Sequence, residues 1–384
     1  MTDLNVLYFH TRLETPGGAN RFVVETARRL TEAEVSVTLA TGTLDQERYP
    51  LPEDVSLFEY GGLPPSVLSH WISLPVLGHR LRTALADRSF DVVMFHSIPL
   101  PYWTPFLRRL LPKAQFYWFA HDPNSYLNSP GKLADVPTPL RTLLRVGLPI
   151  IRFGDRRLIT HLDGVIANSK YTASVIKQVY GHDSLVVYPG VDTTKFTPEN
   201  ADTDPNQAYV FTVGQLNEFN NFDLLLRAVA HADDIGANIP QLVVGGEGPA
   251  SPSLRRKALR LGIEDQVRFT GYLSEAELQR HYATARAVAY LPSNEPFGLV
   301  PVEAMASGTP VVTLDNGGPK ETVVNATTGQ LTEATPAAVA DALAEVTVPK
   351  TSEQMGQAAR EHVVERFTWE LTSDALLSVI ESVQ

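Results

Sequence analysis

The 384-residue sequence contains no cysteine. Disulfide bonds, zinc sites with thiolate ligands and cysteine nucleophiles are therefore excluded. Long apolar runs are also missing, because stretches such as residues 71–77 are short and interrupted by proline. The first residues lack a basic region followed by a long apolar run, so we expect no secretory signal and a cytoplasmic location.

Positive charge is scarce as well. Lysine and arginine number 32 against 43 aspartate and glutamate residues, which gives a net charge of −11. The imbalance lies in the second half, where residues 191–384 carry 13 basic and 26 acidic side chains. Because no dominant basic surface exists for a phosphate backbone, we expect no nucleic-acid partner.

One segment is nevertheless basic. Residues 140–158 read LRTLLRVGLPIIRFGDRRL, in which five arginines are interleaved with leucine, isoleucine and phenylalanine. A helix of this kind can lie on an anionic membrane surface, which would place the protein peripherally at the inner membrane face and favour a lipid-linked acceptor. The alternative, which we favour, is a domain helix with an apolar inner face and solvated arginines.

Short β-branched and aromatic runs alternate with helical patterns, which predicts α/β units with doubly wound parallel sheets. The predicted helices cover residues 20–30, 222–232, 253–261 and 275–285. A capping box formed by Ser274 and Glu277 begins the last helix, and Gly262 ends the one before it. The predicted strands cover residues 5–9, 35–40, 91–96, 115–120, 164–167, 209–213, 241–244, 266–270, 287–291 and 309–313.

The length of the chain favours two domains. A linker is predicted at residues 188–205, which are rich in proline, aspartate, threonine and asparagine. We therefore expect an N-terminal domain at residues 1–188 and a C-terminal domain at residues 189–365. A last helix, residues 366–384, is expected to pack back toward the first domain.

The most informative motif is Glu-Pro-Phe-Gly-Leu-Val-Pro-Val-Glu at residues 295–303. It follows a predicted buried strand, so Glu295 falls on the loop at the strand's carboxyl end and Glu303 about one turn inside the next helix. Amides at a helix N-terminus attract an anion such as phosphate, and flanking carboxylates accept hydrogen bonds from hydroxyls. A nucleotide sugar has both parts and fits this arrangement. The amides concerned belong to Phe297, Gly298 and Leu299.

Further motifs occur in order along the chain. Together with the Glu295/Glu303 motif, they resemble the retaining glycosyltransferases of family GT4, which have the GT-B fold, over nearly the full chain. The motifs are Gly17-Gly18, His121-Asp122, Ala167-Asn168-Ser169, Val213-Gly214-Gln215-Leu216, Gly245-Gly246-Glu247-Gly248-Pro249, Val267-Arg268-Phe269-Thr270-Gly271-Tyr272 and Gly317-Gly318-Pro319-Lys320-Glu321.

The resemblance implies a fold and an activity. The fold would be α/β, with two Rossmann-like doubly wound parallel-sheet domains and a cleft between them. The N-terminal domain would lie on the acceptor side, and the C-terminal domain would hold a nucleotide-sugar donor. The activity would be transfer of a hexose-type sugar to a glycan or lipid-linked acceptor in glycan biosynthesis. No cofactor and no metal would be required.

The resemblance also implies roles for matching residues of the C-terminal domain. Glu295 would contact the hydroxyls of the donor sugar, and Glu303 those of the ribose. Backbone groups of Phe297, Gly298 and Leu299 would hold the sugar and the diphosphate, and those near Tyr272 the base. Gly214 belongs to the same donor site.

In the N-terminal domain, Gly17 and Gly18 would allow phosphate to approach the next helix closely. His121 would reach the reacting sugar, so His121 and Glu295 are the residues assigned to catalysis. In the front-face mechanism implied for such enzymes, the leaving diphosphate helps to deprotonate the acceptor and no protein nucleophile is needed. The protein orients the substrates and stabilises charge.

The sequence departs from the family pattern at two positions. Gln215 and Asn220 stand where members usually carry an arginine and a lysine directed at the diphosphate. Loss of one such contact can cost about 3 kcal/mol, so we expect Arg21 or Lys320 to replace the missing cations. Two alternatives follow from the departure: a non-catalytic homologue that binds sugars or partners, and a transferase that uses a lipid-phosphate sugar donor.

Three other features could each have a functional role. Asp202-Thr203-Asp204 has the spacing of metal-binding carboxylates, but it falls in the predicted linker with no strand before it, so we expect a solvated loop and no required metal. The glycines at 245, 246 and 248 imitate a dinucleotide loop, yet Pro249 follows and a backbone turn is expected. For His96, which also follows a strand, a structural and a functional role both remain open.

Overall fold

A computed structural model describes residues 4–15, 17–61, 78–86, 88–98, 100–123, 152–201 and 208–382. Most of the basic segment at 140–158 and all of Asp202-Thr203-Asp204 lie outside these residues, so the predictions made for them stay predictions. The chain forms two compact units. Met1–Tyr188 and Thr372–Gln384 make the first unit, and Pro189–Leu371 the second.

The first unit contains a seven-stranded parallel sheet. Its strand order is β3-β2-β1-β4-β5-β6-β7. Both faces of the central strands are buried, which explains their continuous apolar sequences. The strands are β1 Asn5–His10, β2 Ser36–Thr41, β3 Ser56–Glu59, β4 Val92–Phe95, β5 Gln115–Ala120, β6 Gly164–Ala167 and β7 Leu185–Val186. The helices are α1 Gly18–Glu32, α2 Thr104–Leu110 and α3 Lys170–Tyr180, with further helical residues at 78–85 and 152–159.

The second unit contains a six-stranded parallel sheet. Its strand order is β10-β9-β8-β11-β12-β13. The strands are β8 Tyr209–Val213, β9 Gln241–Gly245, β10 Val267–Gly271, β11 Ala287–Tyr290, β12 Val311–Leu314 and β13 Gly329–Thr332. The helices are α4 Phe222–Asp234, α5 Ser251–Leu261, α6 Glu275–Thr284, α7 Leu299–Ala306, α8 Pro319–Thr322, α9 Pro336–Val346, α10 Pro349–Arg366 and α11 Trp369–Glu381, the last of which continues into the first unit.

The two parallel sheets confirm the predicted fold class, and all ten predicted strands are present within two residues of the expected bounds. The capping box of Ser274 and Glu277 is formed, and Gly262 ends α5 in the left-handed conformation. Three strands were not predicted: β3, β7 and β13. They are short and only partly buried, so they carry no continuous apolar run.

In both sheets the first strand lies next to the fourth, and the order of strands reverses there. In the first unit this point lies between β1 and β4, and in the second between β8 and β11. Parallel α/β sheets bind ligands at the carboxyl ends of the strands beside such a reversal. The residues that follow these strands are therefore the first candidates for a site.

Among the described residues, no helix is long and apolar enough to cross a membrane.

Candidate active site

The loop that follows β11 leads directly into α7. Asn294 turns the chain in the left-handed conformation, with φ of 58°, and its amide donates to Asn316 Oδ1 at 3.0 Å. Gly298 occupies the N-cap of α7 with φ of 84°, a conformation that favours glycine, and offers no side-chain acceptor. The first amides of an α-helix have no carbonyl of the helix to bond, so this end is suited to an anion.

The turn at Gly317 and Gly318 packs against the same loop. Gly318 N donates to Glu295 O at 2.7 Å. A Cβ at Gly318 would lie 2.3 Å from Pro296 O and 2.5 Å from Phe297 Cα, so only glycine permits this approach. The motif at Gly317 and Gly318 therefore shapes the loop that carries Glu295.

Glu303 lies in α7, as predicted, and its side chain is 6% exposed. Its Oε2 accepts a hydrogen bond of 3.0 Å from the hydroxyl of Tyr282, a buried residue of α6. Burial raises the pKa of Tyr290 well above its usual value, and the carboxylates of Glu295 and Glu303 raise it further. Both carboxylates thus act on one tyrosine, which places the two glutamates in the same part of the second unit.

The chain segments at the carboxyl ends of β8, β9 and β10 are hydrogen-bonded to one another. Gly246 N, after β9, donates to Gly271 O at the end of β10, and Gly214 N, after β8, donates to Gly245 O. Leu216 N donates to Glu247 O, which joins the two loops a second time. The chain then turns at Pro249 and Ala250, where Ser251 N donates to Gly248 O at 3.1 Å, so a backbone turn follows β9, as expected. Tyr272, after β10, is 64% exposed and offers a ring face for a flat ligand.

The two positions that depart from the family pattern lie together on the loop after β8. Asn220 Nδ2 donates to Gln215 O at 2.8 Å, so the second amide closes the loop onto the first residue. Asn221 then links this loop to the one after β11, since its Nδ2 donates to Leu291 O at 2.8 Å and to Ser293 Oγ at 2.9 Å. Neutral amides thus build the part of the loop where cations were expected.

Lys320, one of the two residues expected to replace the missing cations, lies in α8. Its Nζ is 2.9 Å from Asp315 Oδ1, and both side chains are at least half exposed. An exposed ion pair of this kind contributes little to stability, so it can exchange partners at small cost.

Arg360 supports the far end of α7 from α10. Its guanidinium donates to the carbonyl oxygens of Ala306, Phe196 and Thr193. Ala306 is the last residue of α7, and the other two belong to the segment that enters the second unit. A cation at a helix C-terminus also interacts favourably with the helix dipole.

In the first unit, Gly17 and Gly18 lie at the start of α1. Gly17 is exposed, and an added Cβ there would meet no described atom within 4 Å. Packing against the described residues therefore does not require a glycine at 17. The chain before it is held at the carbonyl of Thr15, which accepts from Asn20 Nδ2 at 2.8 Å and from the Tyr49 hydroxyl at 2.9 Å. Arg21 lies in the first turn of α1.

His121 directly follows β5 and belongs to a cluster of three histidines. His10 ends β1, His96 follows β4, and the Nδ1 atom of His96 is 3.3 Å from the Nε2 atom of His121. The ring of His121 packs on Phe22 and Phe119. Burial lowers the pKa of His121 to about 3 and that of His10 to about 4, so both rings are neutral at neutral pH.

Asn168, after β6, completes this edge of the sheet. Its Nδ2 donates to His121 O at 2.9 Å, and Ser169 caps α3 through the amide of Thr172. The Ala-Asn-Ser motif therefore positions the loop that carries His121.

Each unit thus brings together its own share of the predicted residues. The second gathers Glu295, Glu303, Phe297, Gly298, Leu299, Gly214, Gln215, Asn220, Tyr272 and Lys320 on the loops after β8, β10, β11 and β12 and on the helices that follow. The first gathers Gly17, Gly18, Arg21 and His121. Sequence reasoning missed Tyr282 and His10. Tyr282 gave no signal, whereas His10 could have been found, because it directly follows the predicted strand at residues 5–9, as His121 follows the one at 115–120.

Comparison with known proteins decides the family. The profile described as "Glycosyltransferase Family 4" matches residues 16–195, and "Glycosyl transferases group 1" matches residues 194–362. D-inositol 3-phosphate glycosyltransferase 2 of Catenulispora acidiphila is 30% identical over an alignment that covers 94% of this chain and 89% of the relative. The chain belongs to glycosyltransferase family 4.

Other relatives match over a shorter length. The D-inositol 3-phosphate glycosyltransferase of Segniliparus rotundus is 33% identical over an alignment that spans 64% of this family 4 chain and 56% of the relative. Among solved structures, Anabaena HepE in complex with UDP and glucose superposes with a TM-score of 0.73. At 18% identity, over 99% of this chain and all of that one, this likeness shows the GT-B fold.

Among the described residues, no three carboxylate, imidazole or thiol side chains are grouped so that they could hold a metal ion. The expectation that transfer needs no metal stays a prediction.

Proposed function

We propose that this family 4 glycosyltransferase retains the anomeric configuration, needs no metal, and moves a hexose-type sugar from a nucleotide-sugar donor to a glycan or lipid-linked acceptor. The observation that carries the proposal is the buried carboxylate of Glu303, which accepts a hydrogen bond from the hydroxyl of Tyr282. Glu303 lies in α7, whose N-terminus has no side-chain cap and follows the loop that carries Glu295. A carboxylate for hydroxyls and amides for phosphate fit the two parts of one ligand.

Each part of the donor then has a partner in the second unit. Glu303 accepts hydrogen bonds from the ribose hydroxyls, and Glu295 from the hydroxyls of the sugar. Backbone groups of Phe297, Gly298 and Leu299 hold the sugar and diphosphate. The base lies at Tyr272, whose exposed ring gives a stacking surface. The complex of Anabaena HepE with UDP and glucose makes UDP the first nucleotide to test.

The reaction proceeds on one face of the sugar. The bond between the anomeric carbon and the diphosphate oxygen breaks, and a bond to the acceptor oxygen forms on the same side. The acceptor proton passes to the departing phosphate oxygen, so no protein base takes it. His121 contacts the reacting sugar, and the protein supplies orientation and charge stabilisation.

The diphosphate of the donor is negatively charged, and the neutral side chains of Gln215 and Asn220 supply no positive charge to pair with it. A cation from another residue is therefore needed. We propose that Lys320 leaves Asp315 and pairs with the phosphate, with Arg21 as the other candidate. Asp315→Asn should then strengthen donor binding, and Lys320→Ala should weaken it. If Lys320→Ala and Arg21→Ala both leave donor affinity unchanged, the replacement is wrong.

The decisive experiment is a calorimetric and thermal-shift screen of UDP, GDP, ADP and their sugars. Binding of one nucleotide, weakened by Glu303→Ala, supports the proposal. Turnover is then measured with and without EDTA, and the product anomer is assigned by NMR. Acceptors should include inositol phosphates, because the similar curated relatives are named for D-inositol 3-phosphate.

Two alternatives remain because of Gln215 and Asn220. A non-catalytic sugar-binding or partner-binding homologue would bind sugars or protein partners but turn over no donor. A transferase that uses a lipid-phosphate sugar would bind no nucleotide and would use a polyprenyl-phosphate hexose as its donor.

Peripheral membrane contact is tested by flotation with anionic liposomes at low salt. If the protein does not float with them, the proposed membrane contact is wrong. The matched control uses neutral liposomes.

A further inference from the structure

Three histidines lie at the carboxyl ends of three neighbouring strands in the first unit. His10 ends β1 and His96 follows β4, the two strands at which the strand order reverses, and His121 follows β5. His10 and His96 are both at least 95% buried. Burial lowers the pKa of all three, and neighbouring imidazoles lower those of His96 and His121 further. Each ring is therefore neutral at neutral pH and carries its proton on one nitrogen only.

The proton of His10 is placed by its neighbour. Asn20 Nδ2 donates to Thr15 O at 2.8 Å, so the amide of Asn20 is oriented and its oxygen points the other way. That oxygen is 2.7 Å from His10 Nε2 and can only accept. His10 therefore carries its proton on Nε2.

The proton of His96 is placed by the lack of a partner. Its Nε2 is buried and has no hydrogen-bond partner among the described residues, whereas its Nδ1 is 3.3 Å from His121 Nε2. A buried N–H without an acceptor is rarer and more costly than a lone pair without a donor. His96 therefore carries its proton on Nδ1 and donates it to His121.

We propose that His96 is a positioning residue that fixes His121 in the tautomer protonated on Nδ1. Because Nε2 of His121 accepts from His96, its other nitrogen presents an N–H donor. His121 then donates a hydrogen bond to a sugar oxygen and does not act as a base. This agrees with a mechanism in which the departing phosphate takes the acceptor proton. The role toward the sugar rests on the proposed function, but the placement of protons does not.

The first test is independent of activity. Long-range proton–nitrogen NMR correlations of the full chain, labelled with nitrogen-15 in histidine, report which ring nitrogen carries hydrogen. We expect Nδ1–H for His96 and His121 and Nε2–H for His10 at pH 7. An Nε2–H tautomer at either His96 or His121 would overturn the proposal, even if no donor is ever found.

Two variants of His96 separate the hydrogen bond from packing. His96→Phe keeps a flat ring but removes the donor, whereas the amide of His96→Asn can donate from a place close to that of Nδ1. In His96→Phe we expect the Nδ1–H signal of His121 to be lost or mixed, and in His96→Asn to be retained. His281→Phe is the control, since it removes a histidine that contacts Tyr209 in the second unit. It should leave the signals of His121 unchanged.

The expected change in kinetics follows from misplacing the Nδ1–H donor of His121. In His96→Phe, kcat should fall roughly tenfold to a hundredfold, the range seen when a residue that orients a metal ligand through a hydrogen bond is removed from an enzyme. The KM for the nucleotide sugar should change little, and His96→Asn should recover most of the rate. If His96→Phe turns over like the wild type although the tautomer of His121 has changed, the positioning role is wrong while the proposed function stands.

Discussion

Replacing Glu303 tests the candidate site most directly, because its carboxylate has a structural partner and a proposed ligand. The side chain is 6% exposed, and Oε2 accepts from the hydroxyl of Tyr282 at 3.0 Å. Glu303→Gln keeps an oxygen for that hydroxyl but removes the charge. Glu303→Ala removes both, so the two variants separate the charge from the contact.

The expected loss of nucleotide affinity can be worked out from hydrogen bonds to a charged group. Two such bonds to the ribose contribute about 4 kcal/mol in total, and neutral bonds about half as much. Glu303→Gln should therefore weaken binding by about 2 kcal/mol, or roughly thirtyfold in Kd. Glu303→Ala should weaken it by about 4 kcal/mol, or on the order of 700-fold.

The assay is isothermal titration calorimetry with the nucleotide that the screen identifies, and Glu277→Gln is the matched control. Glu277 lies in the capping box of α6 and is exposed, so its replacement should leave Kd unchanged. If Glu303→Gln and Glu303→Ala both bind within about twofold of the wild type, Glu303 does not touch the ligand, and the reasoning fails.

Stability provides a second, ligand-free check on the contact with Tyr282. Glu303→Ala removes the acceptor of a buried hydroxyl, which should cost about 1–3 kcal/mol of unfolding free energy. In the double variant with Tyr282→Phe that hydroxyl is gone too. The double variant should therefore be less destabilised than the two single changes added together, as measured by urea unfolding. Strict additivity would contradict the hydrogen bond.

Three further predictions concern other residues. Gly318→Ala should lower the thermal midpoint and abolish nucleotide binding, because its Cβ would meet backbone atoms; Gly17→Ala should leave the midpoint unchanged and weaken only donor binding. Since burial lowers the pKa of His10 to about 4 and of His121 to about 3, the unfolded state binds more protons below about pH 6.5. The free energy of unfolding should then fall with falling pH by about 1.4 kcal/mol per unit for each histidine, down to those values, in urea titrations from pH 7 to 5. Arg360→Met should cost about 3 kcal/mol in the same assay, because three backbone carbonyls lose a charged donor; an unchanged midpoint would contradict that support.

Much of the fold could be predicted because its elements are encoded locally. The strand at 115–120 contains five consecutive buried aromatic and apolar residues at 116–120, and the structure has the predicted bounds. Ser274 and Glu277 specify the start of α6 within four residues. By contrast, Leu185–Val186 becomes a strand only because β6 lies beside it. A short edge strand of this kind has no pattern of its own.

The same distinction between local and long-range information applies to the residues of the candidate site. Glu295 and Glu303 could be found because a strand, a glycine turn and a helix start lie within one short motif. Tyr282 could not, since its hydroxyl meets Glu303 from another helix, 21 positions earlier in the chain. The ion pair between Lys320 and Asp315 was missed for a related reason. The sequence indicates that a cation is present, but only the fold shows what already neutralises it.

The sequence by itself determined the order of strands and helices, the acidic balance of the second half, and the loss of two expected cations at Gln215 and Asn220. These features depend on residue type and on spacing along the chain. The tertiary structure alone decided which histidine nitrogen faces which neighbour, and which carboxylate is buried against a hydroxyl. Such facts depend on distances between distant segments, which are set only when parallel strands align and bring their carboxyl ends to one edge.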